Sequence, residues 1–179
     1  MKRILLLLVL CMAGTITAQK INWITMNEAL EAQKKVPKKI FMDVYTVWCG
    51  PCKMLDKNTF SNKDVIAYVN ENFYAVKFNA EGTEEVVFED FTYTNPNYQE
   101  GRKGRNATHF FADALKLRGY PSMVFFKEDG TLIQPITGYR TPQQLEIYLK
   151  MIAKDDYLAV NTVEDWEEYQ ANFKNTFNE

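Results

Sequence analysis

Two cysteines three residues apart, placed just after an apolar run, constrain this chain more than any other feature. Residues 40–45 are typical of a buried strand, and the motif Trp48-Cys49-Gly50-Pro51-Cys52-Lys53 follows them. A strand that leads into a helix at such a motif places the first sulfur among unpaired backbone N–H groups, which stabilise a thiolate. The second sulfur lies one turn further on, within disulfide distance. The pattern therefore predicts a redox-active cysteine pair.

The motif and several positions outside it resemble the thioredoxin family. Residues 48–53 match the active-site hexapeptide of that family, and Asp43 matches its buried acid, six residues before the first cysteine. Residues 52–61 are similar to the subgroup that contains the soluble periplasmic domain of the disulfide reductase DsbD. Further matches are Lys77 near the buried acid, Tyr120-Pro121 as the cis-proline loop, and Gly138 before the last helix. The resemblance spans residues 23–150.

The resemblance implies a thioredoxin fold, an α/β architecture in which helices flank a central mixed sheet. The residue pattern agrees with it, because apolar runs typical of buried strands alternate with amphipathic segments typical of helices. Strands are predicted over residues 38–46, 73–79 and 122–127, and helices over residues 26–35, 49–58, 63–72, 108–118 and 141–152. The apolar side of the 108–118 helix is predicted to carry Phe110, Phe111, Ala114 and Leu115. Asp129-Gly130 predicts a hairpin turn, so the last two strands should be antiparallel.

Residues 82–107 form an insertion, because a plain thioredoxin passes quickly from the strand at 73–79 to the helix before the proline loop. The segment is aromatic-rich and then basic, and alternating Phe91 and Tyr93 predict a short hairpin. Its basic residues, Arg102, Lys103 and Arg105, are interpreted as a solvated turn. Two interpretations of the insertion stay open: a surface excursion packed on the domain, or a partner-recognition loop beside the active site.

The first eighteen residues are typical of a secretory signal peptide. Lys2-Arg3 is a positive start, residues 4–12 are apolar, and small residues lead to a cleavage site after Ala18. We therefore expect a periplasmic or otherwise exported protein. The apolar block is too short for a stable spanning helix. The alternatives are lipidation at Cys11 and retention as an uncleaved anchor.

The predicted mature chain has one domain and a C-terminal extension. The thioredoxin-like domain is expected over residues 19–160, including the insertion, and a helical extension over residues 161–179. The extension carries Trp166, Tyr169 and Phe173 at helical spacing, which is more typical of packing than of a ligand site. Loss of Lys2 and Arg3 from 21 basic residues leaves 19 against 23 acidic ones. That net negative charge disfavours nucleic acid as a partner.

Cys49 is the predicted attacking nucleophile, since only a thiolate attacks a disulfide effectively. The intervening Gly50-Pro51 adds no side-chain donor, which favours a moderate thiol pKa and a reducing character. Cys52 is the predicted resolving thiol, expected to be the more buried, and its attack frees the substrate from a mixed disulfide. Asp43 is the candidate base for Cys52, with a pKa raised by desolvation, and Lys77 is expected to oppose that rise.

Substrate contact is expected around the first sulfur. Pro121 is predicted to be cis, and in this family its loop lies beside Cys49, where the backbone can pair with an extended substrate segment. Trp48 is expected to cover the cysteines and to add apolar contact area. The predicted substrate-binding residues are Trp48, Gly50, Pro51, Tyr120 and Pro121.

Other uses of the cysteine pair are disfavoured. A zinc site needs two more ligands, and the mature chain has a single histidine, His109, and no further cysteine, so no metal is expected. A c-type haem site needs His directly after Cys52, where Lys53 stands. A purely structural disulfide would leave the flanking Trp and Gly-Pro unexplained.

The sequence therefore predicts an exported protein-disulfide oxidoreductase that reduces or isomerises disulfides in protein substrates. No flavin or nicotinamide motif is present, so we expect no cofactor, and electrons from a membrane-bound donor. Two alternatives stay open. One is an oxidant that inserts disulfides, and the other is a partner-binding module in which the cysteine pair is incidental.

Overall fold

A five-stranded mixed sheet organises residues 20–178, the part of the chain that the computed structural model describes. The strands are β1 (Trp23–Ile24), β2 (Lys39–Tyr45), β3 (Phe73–Asn79), β4 (Val86–Phe88), β5 (Phe91–Tyr93), β6 (Ser122–Phe126) and β7 (Leu132–Thr137). The helices are α1 (Met26–Lys35), α2 (Gly50–Asn58), α3 (Lys63–Asn72), α4 (Phe110–Ala114), α5 (Pro142–Ala153) and α6 (Val163–Asn172), with a 3₁₀ turn at Asp156–Ala159.

The sheet order is β1-β3-β2-β6-β7. β1, β3 and β2 are parallel, and β6 pairs antiparallel with both β2 and β7. This confirms the predicted mixed sheet and the antiparallel last pair. The two edge strands are irregular in different ways, because β1 has only two residues and β7 contains Pro135. β4 and β5 form a separate hairpin within the insertion.

Alternate residues of β2 face opposite sides of the sheet, and each side has its own apolar core. Phe41 is fully buried with residues of α2, α3 and α5. Ile40, Met42 and Val44 are fully buried on the other side, with residues of α1 and α4. Because helices cover both faces, β2 has a nearly continuous apolar sequence. After Lys39 at its start, Asp43 is the only charged residue of β2, on the same side as Phe41.

Side-chain capping explains where the helices begin. Thr25 and Glu28 form the predicted capping box at the start of α1, and Thr141 and Gln144 form another at α5. The Asn62 side chain caps α3 by accepting two backbone N–H groups. These local signals place the helix starts where the sequence predicts them.

The helix before the proline loop is shorter than predicted. α4 covers only residues 110–114 instead of 108–118. It begins there because the His109 side chain accepts the Phe111 N–H at 3.0 Å and caps the helix. It ends because Lys116 has a φ of 51°, outside the right-handed helical region.

Two of the four residues predicted on the apolar side of α4 are buried, and two are exposed. Phe111 and Leu115 are buried, whereas Phe110 is 46% exposed and Ala114 is also exposed. A single helical turn buries a narrow stripe, and residues four apart share it. The longer predicted helix would have buried a wider one.

The insertion contains the hairpin that the alternating aromatics predict, and through it packs on the α1–α4 side of the sheet. Val86 is fully buried. The rings of Phe88 and Tyr93 lie against Phe111, with centroids 5.5 and 5.4 Å away. Phe91, in contrast, is 67% exposed. The aromatic part of the insertion is therefore partly core and partly surface.

The C-terminal segment returns to the domain. On α6, Trp166 stacks on Tyr148 of α5, with ring centroids 5.3 Å apart. Beyond α6, the fully buried carboxylate of Glu146 accepts the backbone N–H groups of Thr176 and Phe177 and forms an ion pair with Lys150. A charged side chain inside α5 therefore fixes the end of the chain.

The predicted signal peptide, its cleavage site at Ala18 and Cys11 lie outside the described residues. Between residues 20 and 178, no helix is both long and apolar enough to cross a membrane. The boundary predicted between the domain, 19–160, and the extension, 161–179, stays a prediction.

Candidate active site

The two cysteines lie at the start of α2 and are joined by a disulfide. Cys49 is the N-cap residue of this helix. Its Sγ accepts a hydrogen bond from the Cys52 backbone N–H at 3.1 Å. That N–H has no partner within the helix, and it points at the place where a thiolate forms on reduction. The positive end of the helix dipole acts in the same direction.

The expectation that Cys52 is the more buried cysteine is not met in this disulfide state, because the two cysteines are buried to the same extent. Cys49 is 2% exposed and Cys52 is 3% exposed. The reason is that the Cys49 side chain turns back over the first helical turn to bond Cys52 and to accept its N–H. The Cys49 sulfur is therefore buried in the oxidised state.

A buried carboxylate lies on the strand that leads to the cysteines. Asp43 is 1% exposed, and its Oδ2 lies 2.7 Å from the Nζ of Lys77, its partner across the β2–β3 register. Lys77 forms a second ion pair with Asp56 of α2. The ammonium group also lies over three aromatic rings, those of Trp23, Tyr45 and Phe60. The other oxygen of Asp43, Oδ1, has no hydrogen-bond partner within residues 20–178.

The charges of this cluster follow from burial and pairing. Burial raises the pKa of Asp43 to about 6 from an ordinary 3.8, Lys77 opposes the rise, and Asp56 adds to it. Burial acts to lower the pKa of Lys77, but the two carboxylates outweigh it and raise that pKa above 10.5. Lys77 is therefore charged at neutral pH, and Asp43 titrates close to neutral pH.

The proline loop lies next to the redox motif. The Tyr120–Pro121 peptide bond is cis, as predicted. The Tyr120 ring meets Trp48 edge-on, with centroids 6.3 Å apart. Gly138, at a φ of 99°, donates its N–H to the Pro121 carbonyl at 2.8 Å. The half-buried Trp48 and Tyr120 thus form one surface next to the motif, whereas Pro121 itself is buried.

The remaining predicted substrate-binding residues, Gly50 and Pro51, are exposed in the first turn of α2. A Cβ added at Gly50 would meet no atom within 4 Å. The space in front of the first turn is therefore open on that side.

Trp48 is held by two residues that the sequence did not single out for this role. Glu81 is 7% exposed, and its Oε2 accepts the Trp48 indole N–H and the Asn106 backbone N–H, each at 2.8 Å. The guanidinium carbon of Arg105 lies 4.4 Å from the centroid of the Trp48 ring. The C-terminal end of the insertion therefore reaches the active-site surface, while its hairpin packs on the domain.

The single histidine of the chain has a structural position. Its Nδ1 accepts the Phe111 N–H, and its Nε2 lies 2.7 Å from the Glu84 carbonyl oxygen. Both ring nitrogens of His109 are thereby used. Within the described residues, no three His, Cys, Asp or Glu side chains come together as a metal site.

The arrangement provides what thiol–disulfide exchange requires. It has a sulfur at a helix start, a second sulfur one turn away, a buried acid that titrates near neutral pH, and an aromatic surface beside them. Cys49 and Cys52 are bonded to each other, and Trp48, which precedes Cys49, contacts Tyr120. Asp43 lies on β2, which leads to the cysteines, and forms an ion pair with Lys77 on the neighbouring β3.

Known proteins with this chemistry are similar to the chain. A sequence model described as a thioredoxin-like domain matches residues 26–153. The thiol-disulfide oxidoreductase ResA of Bacillus thuringiensis is 26% identical over 176 residues, which cover 84% of this chain and 94% of ResA. The thiol:disulfide interchange protein DsbD of Pectobacterium atrosepticum is 25% identical over 131 residues, 72% of this chain and 18% of DsbD. A thioredoxin-fold protein from Helicobacter pylori gives a TM-score of 0.58 at 17% identity and covers 87% of each chain.

Proposed function

This chain belongs to the thioredoxin-like domain family, and we propose that it is an exported enzyme that reduces or isomerises disulfides in other proteins. Membership follows from the match over α1 to α5. The class of enzyme, thiol–disulfide oxidoreductase, fits the Cys49–Cys52 pair. The observation that carries the proposal is this disulfide at the start of α2, with Cys49 as the N-cap residue. Export, direction of electron flow and substrates go beyond family membership.

In the proposed cycle, the reduced pair donates two electrons to a substrate disulfide. The Cys49 thiolate attacks one substrate sulfur, the substrate disulfide breaks, and a mixed disulfide forms. Cys52 then attacks the Cys49 sulfur, which releases the substrate as a dithiol and forms the internal disulfide. If a substrate thiol attacks the mixed disulfide instead, the substrate is isomerised and the Cys49–Cys52 pair stays reduced.

Asp43 accepts the proton of Cys52 in this cycle. It is buried, it lies on the strand that leads to the motif, and its pKa of about 6 suits proton transfer near neutral pH. Its Oδ1 is a buried acceptor without a partner among residues 20–178, which is uncommon in folded proteins and frequent at functional sites. Lys77 stabilises the ionised form and so limits the rise of that pKa.

The substrate segment binds against Trp48, Tyr120 and Pro121, beside the open first turn at Gly50 and Pro51. Each reduction leaves the cysteine pair oxidised. A membrane-bound donor in the same compartment then returns two electrons to the pair.

Trapping with a Cys52→Ser variant tests the proposal. Without the resolving thiol, the mixed disulfide at Cys49 should accumulate in the exported fraction as an adduct that a thiol reductant releases. The Cys49→Ser, Cys52→Ser double variant is the matched control and should form none. Mass spectrometry of the adduct identifies the partner. It also shows whether the enzyme in the adduct begins after Ala18. Absence of any reductant-labile adduct in the single variant would refute the proposed exchange reaction.

An Asp43→Asn variant tests the proton acceptor. We expect release of the substrate from the mixed disulfide to slow by about 100-fold at pH 7, because a positioned base contributes about that much. The inflection near pH 6 in the pH profile of this step should disappear. Stopped-flow measurement of Cys52 attack on a preformed mixed disulfide gives both quantities. Asp56→Asn is the control, and it should move the inflection to lower pH, since Lys77 then serves Asp43 alone.

Stability provides a second readout for the same variant. The pKa of Asp43 is about 6 in the folded chain and ordinarily 3.8, so its ionisation opposes folding increasingly as pH rises through this interval. Asp43→Asn should therefore be more stable than the wild type at pH 8, by about 3 kcal/mol, and similar at pH 4. Urea denaturation at both pH values measures the difference. An unchanged pH profile together with unchanged stability would contradict the assignment.

A further inference from the structure

We infer that Arg105 is a receptor for a carboxylate of the substrate, so that the enzyme prefers disulfides flanked by Asp or Glu. The inference rests on the proposed function and names a substrate class for the same site. Arg105 is then a specificity-determining residue that the insertion contributes to the surface beside Cys49.

Backbone hydrogen bonds of the residues that follow Arg105 hold it beside the active-site surface. The next residue, Asn106, donates its backbone N–H to Glu81, and Glu81 also accepts the indole N–H of Trp48. His109 donates its backbone N–H to the Ala80 carbonyl at 2.8 Å. The guanidinium group of Arg105 lies on the Trp48 ring, and Trp48 directly precedes the nucleophile. A substrate segment that reaches Cys49 therefore passes close to this guanidinium group.

The insertion is ordered around this position before any substrate arrives. The Asn95 side chain donates to the carbonyl oxygens of Gly82 and Ala107, at 3.0 and 2.8 Å, and so closes the base of the insertion. The Asn106 side chain accepts the Gln99 N–H and donates to the Gln99 carbonyl, each at 2.9 Å. A segment with this many internal hydrogen bonds loses little conformational freedom on binding. Arg105 is thus a preorganised contact.

The guanidinium N–H donors of Arg105 are available to a ligand. The guanidinium carbon lies 4.4 Å from the centroid of the Trp48 ring, and the group carries five N–H donors in its own plane. Within residues 20–178, Arg105 forms no ion pair. The neighbouring carboxylate of Glu81 already binds Trp48 and Asn106. A planar carboxylate from outside fits the free edge with two parallel hydrogen bonds.

The surrounding charges favour an anion at this position. Arg102 and Lys103 are exposed, and neither forms an ion pair in the described part of the chain. Arg102 donates instead to the Gln99 side chain at 2.8 Å. The chain as a whole carries a net charge of −2, so the segment 102–105 is a local excess of positive charge. The charge on the proline-loop side is negative instead. There, burial and then the carboxylates of Glu81 and Asp113 raise the pKa of Tyr120.

The test compares two cyclic disulfide peptides that differ only by Glu or Gln beside one cysteine. We expect wild-type kcat/KM to favour the Glu peptide by about three- to tenfold, as for a partly exposed, charge-assisted contact. Arg105→Gln should bring the ratio close to 1, because the loss for the Glu peptide should exceed any loss for the Gln peptide by the wild-type ratio. Arg105→Lys keeps the charge without the planar edge, and it should retain part of the preference.

Lys35→Gln is the matched control. It removes one positive charge at the end of α1, next to the start of β2, whereas the cysteines follow the other end of β2. The wild-type ratio should persist in this variant. Added salt should reduce the wild-type ratio and leave the rate with the Gln peptide nearly unchanged.

The outcomes separate this inference from the proposed function. A wild-type ratio near 1, or an Arg105→Gln variant with the wild-type ratio, overturns the inference and leaves the oxidoreductase intact. If Arg105→Gln slows both peptides equally, Arg105 only supports Trp48, and the inference is wrong. If the wild type reduces neither peptide, the proposed function itself fails.

Discussion

Replacement of Cys49 by serine is expected to lower the rate of protein-disulfide reduction by at least about 1,000-fold, because the nucleophile itself is lost. A serine hydroxyl is not ionised at neutral pH and forms no disulfide with a substrate. The N-cap position tolerates serine well, so the start of α2 should be preserved. The appearance of thiols in a disulfide-containing protein substrate, followed under single-turnover conditions, measures the loss. Circular dichroism verifies the fold.

The Cys52→Ser variant is the matched comparison, since it also removes one thiol of the pair. It should still capture a substrate once, through Cys49, and then stop. A Cys49→Ser variant that keeps its biological effect would instead favour the partner-binding module, in which the cysteine pair is incidental. The reduction potential of the pair separates a reductase from an oxidant. A value near about −270 mV supports reduction, and one near about −120 mV supports disulfide insertion.

Replacement of Glu146 by alanine is expected to lower the free energy of unfolding by about 3 kcal/mol. The carboxylate is fully buried in α5 and accepts the backbone N–H groups of Thr176 and Phe177. Its removal leaves Lys150 without its carboxylate partner and frees the end of the chain, which exposes the Phe177 ring. Urea denaturation measures the loss, and hydrogen exchange should show early opening after α6.

The exposed Glu167 on α6 provides the control for Glu146. Glu167→Ala should change stability by less than about 0.5 kcal/mol. If both variants unfold alike, Glu146 does not fix the end of the chain. The sign of the pH dependence is also defined. Burial alone would raise the pKa of Glu146, but Lys150 and the N–H groups of Phe177 and Thr176 outweigh it and lower that pKa below 4.5. This stabilisation is therefore complete above pH 4.5 and is lost as pH falls through the folded pKa.

The parts of the fold that short-range signals determine were predictable from sequence. The apolar run of β2 requires a sheet that is covered on both faces, and the capping boxes at Thr25 and Thr141 place two helix starts. The Cys-x-x-Cys pair, read with its flanking residues, locates the redox site at a helix start. The family match and the element order confirm the predicted fold and these helix starts.

The length of α4 and the contacts of Trp48 were not predictable from sequence. The pattern of residues 108–118 suits a helix of three turns, but the cap at His109 and the left-handed Lys116 restrict it to residues 110–114. Nothing local marks Glu81 as the partner of the Trp48 indole, 33 residues away in sequence. Arg105 belongs to a basic run that is usually solvated, and only the closure of the insertion brings it to Trp48.

The irregular edges of the sheet disfavour strand pairing with other polypeptides. β1 offers only two residues for pairing, and Pro135 removes a backbone donor from β7. A neighbouring polypeptide therefore finds no long, regular row of free amide groups along either border. An unfolded substrate should therefore bind at its cysteines and dissociate after exchange, without adding strands to the edges of this sheet and aggregating.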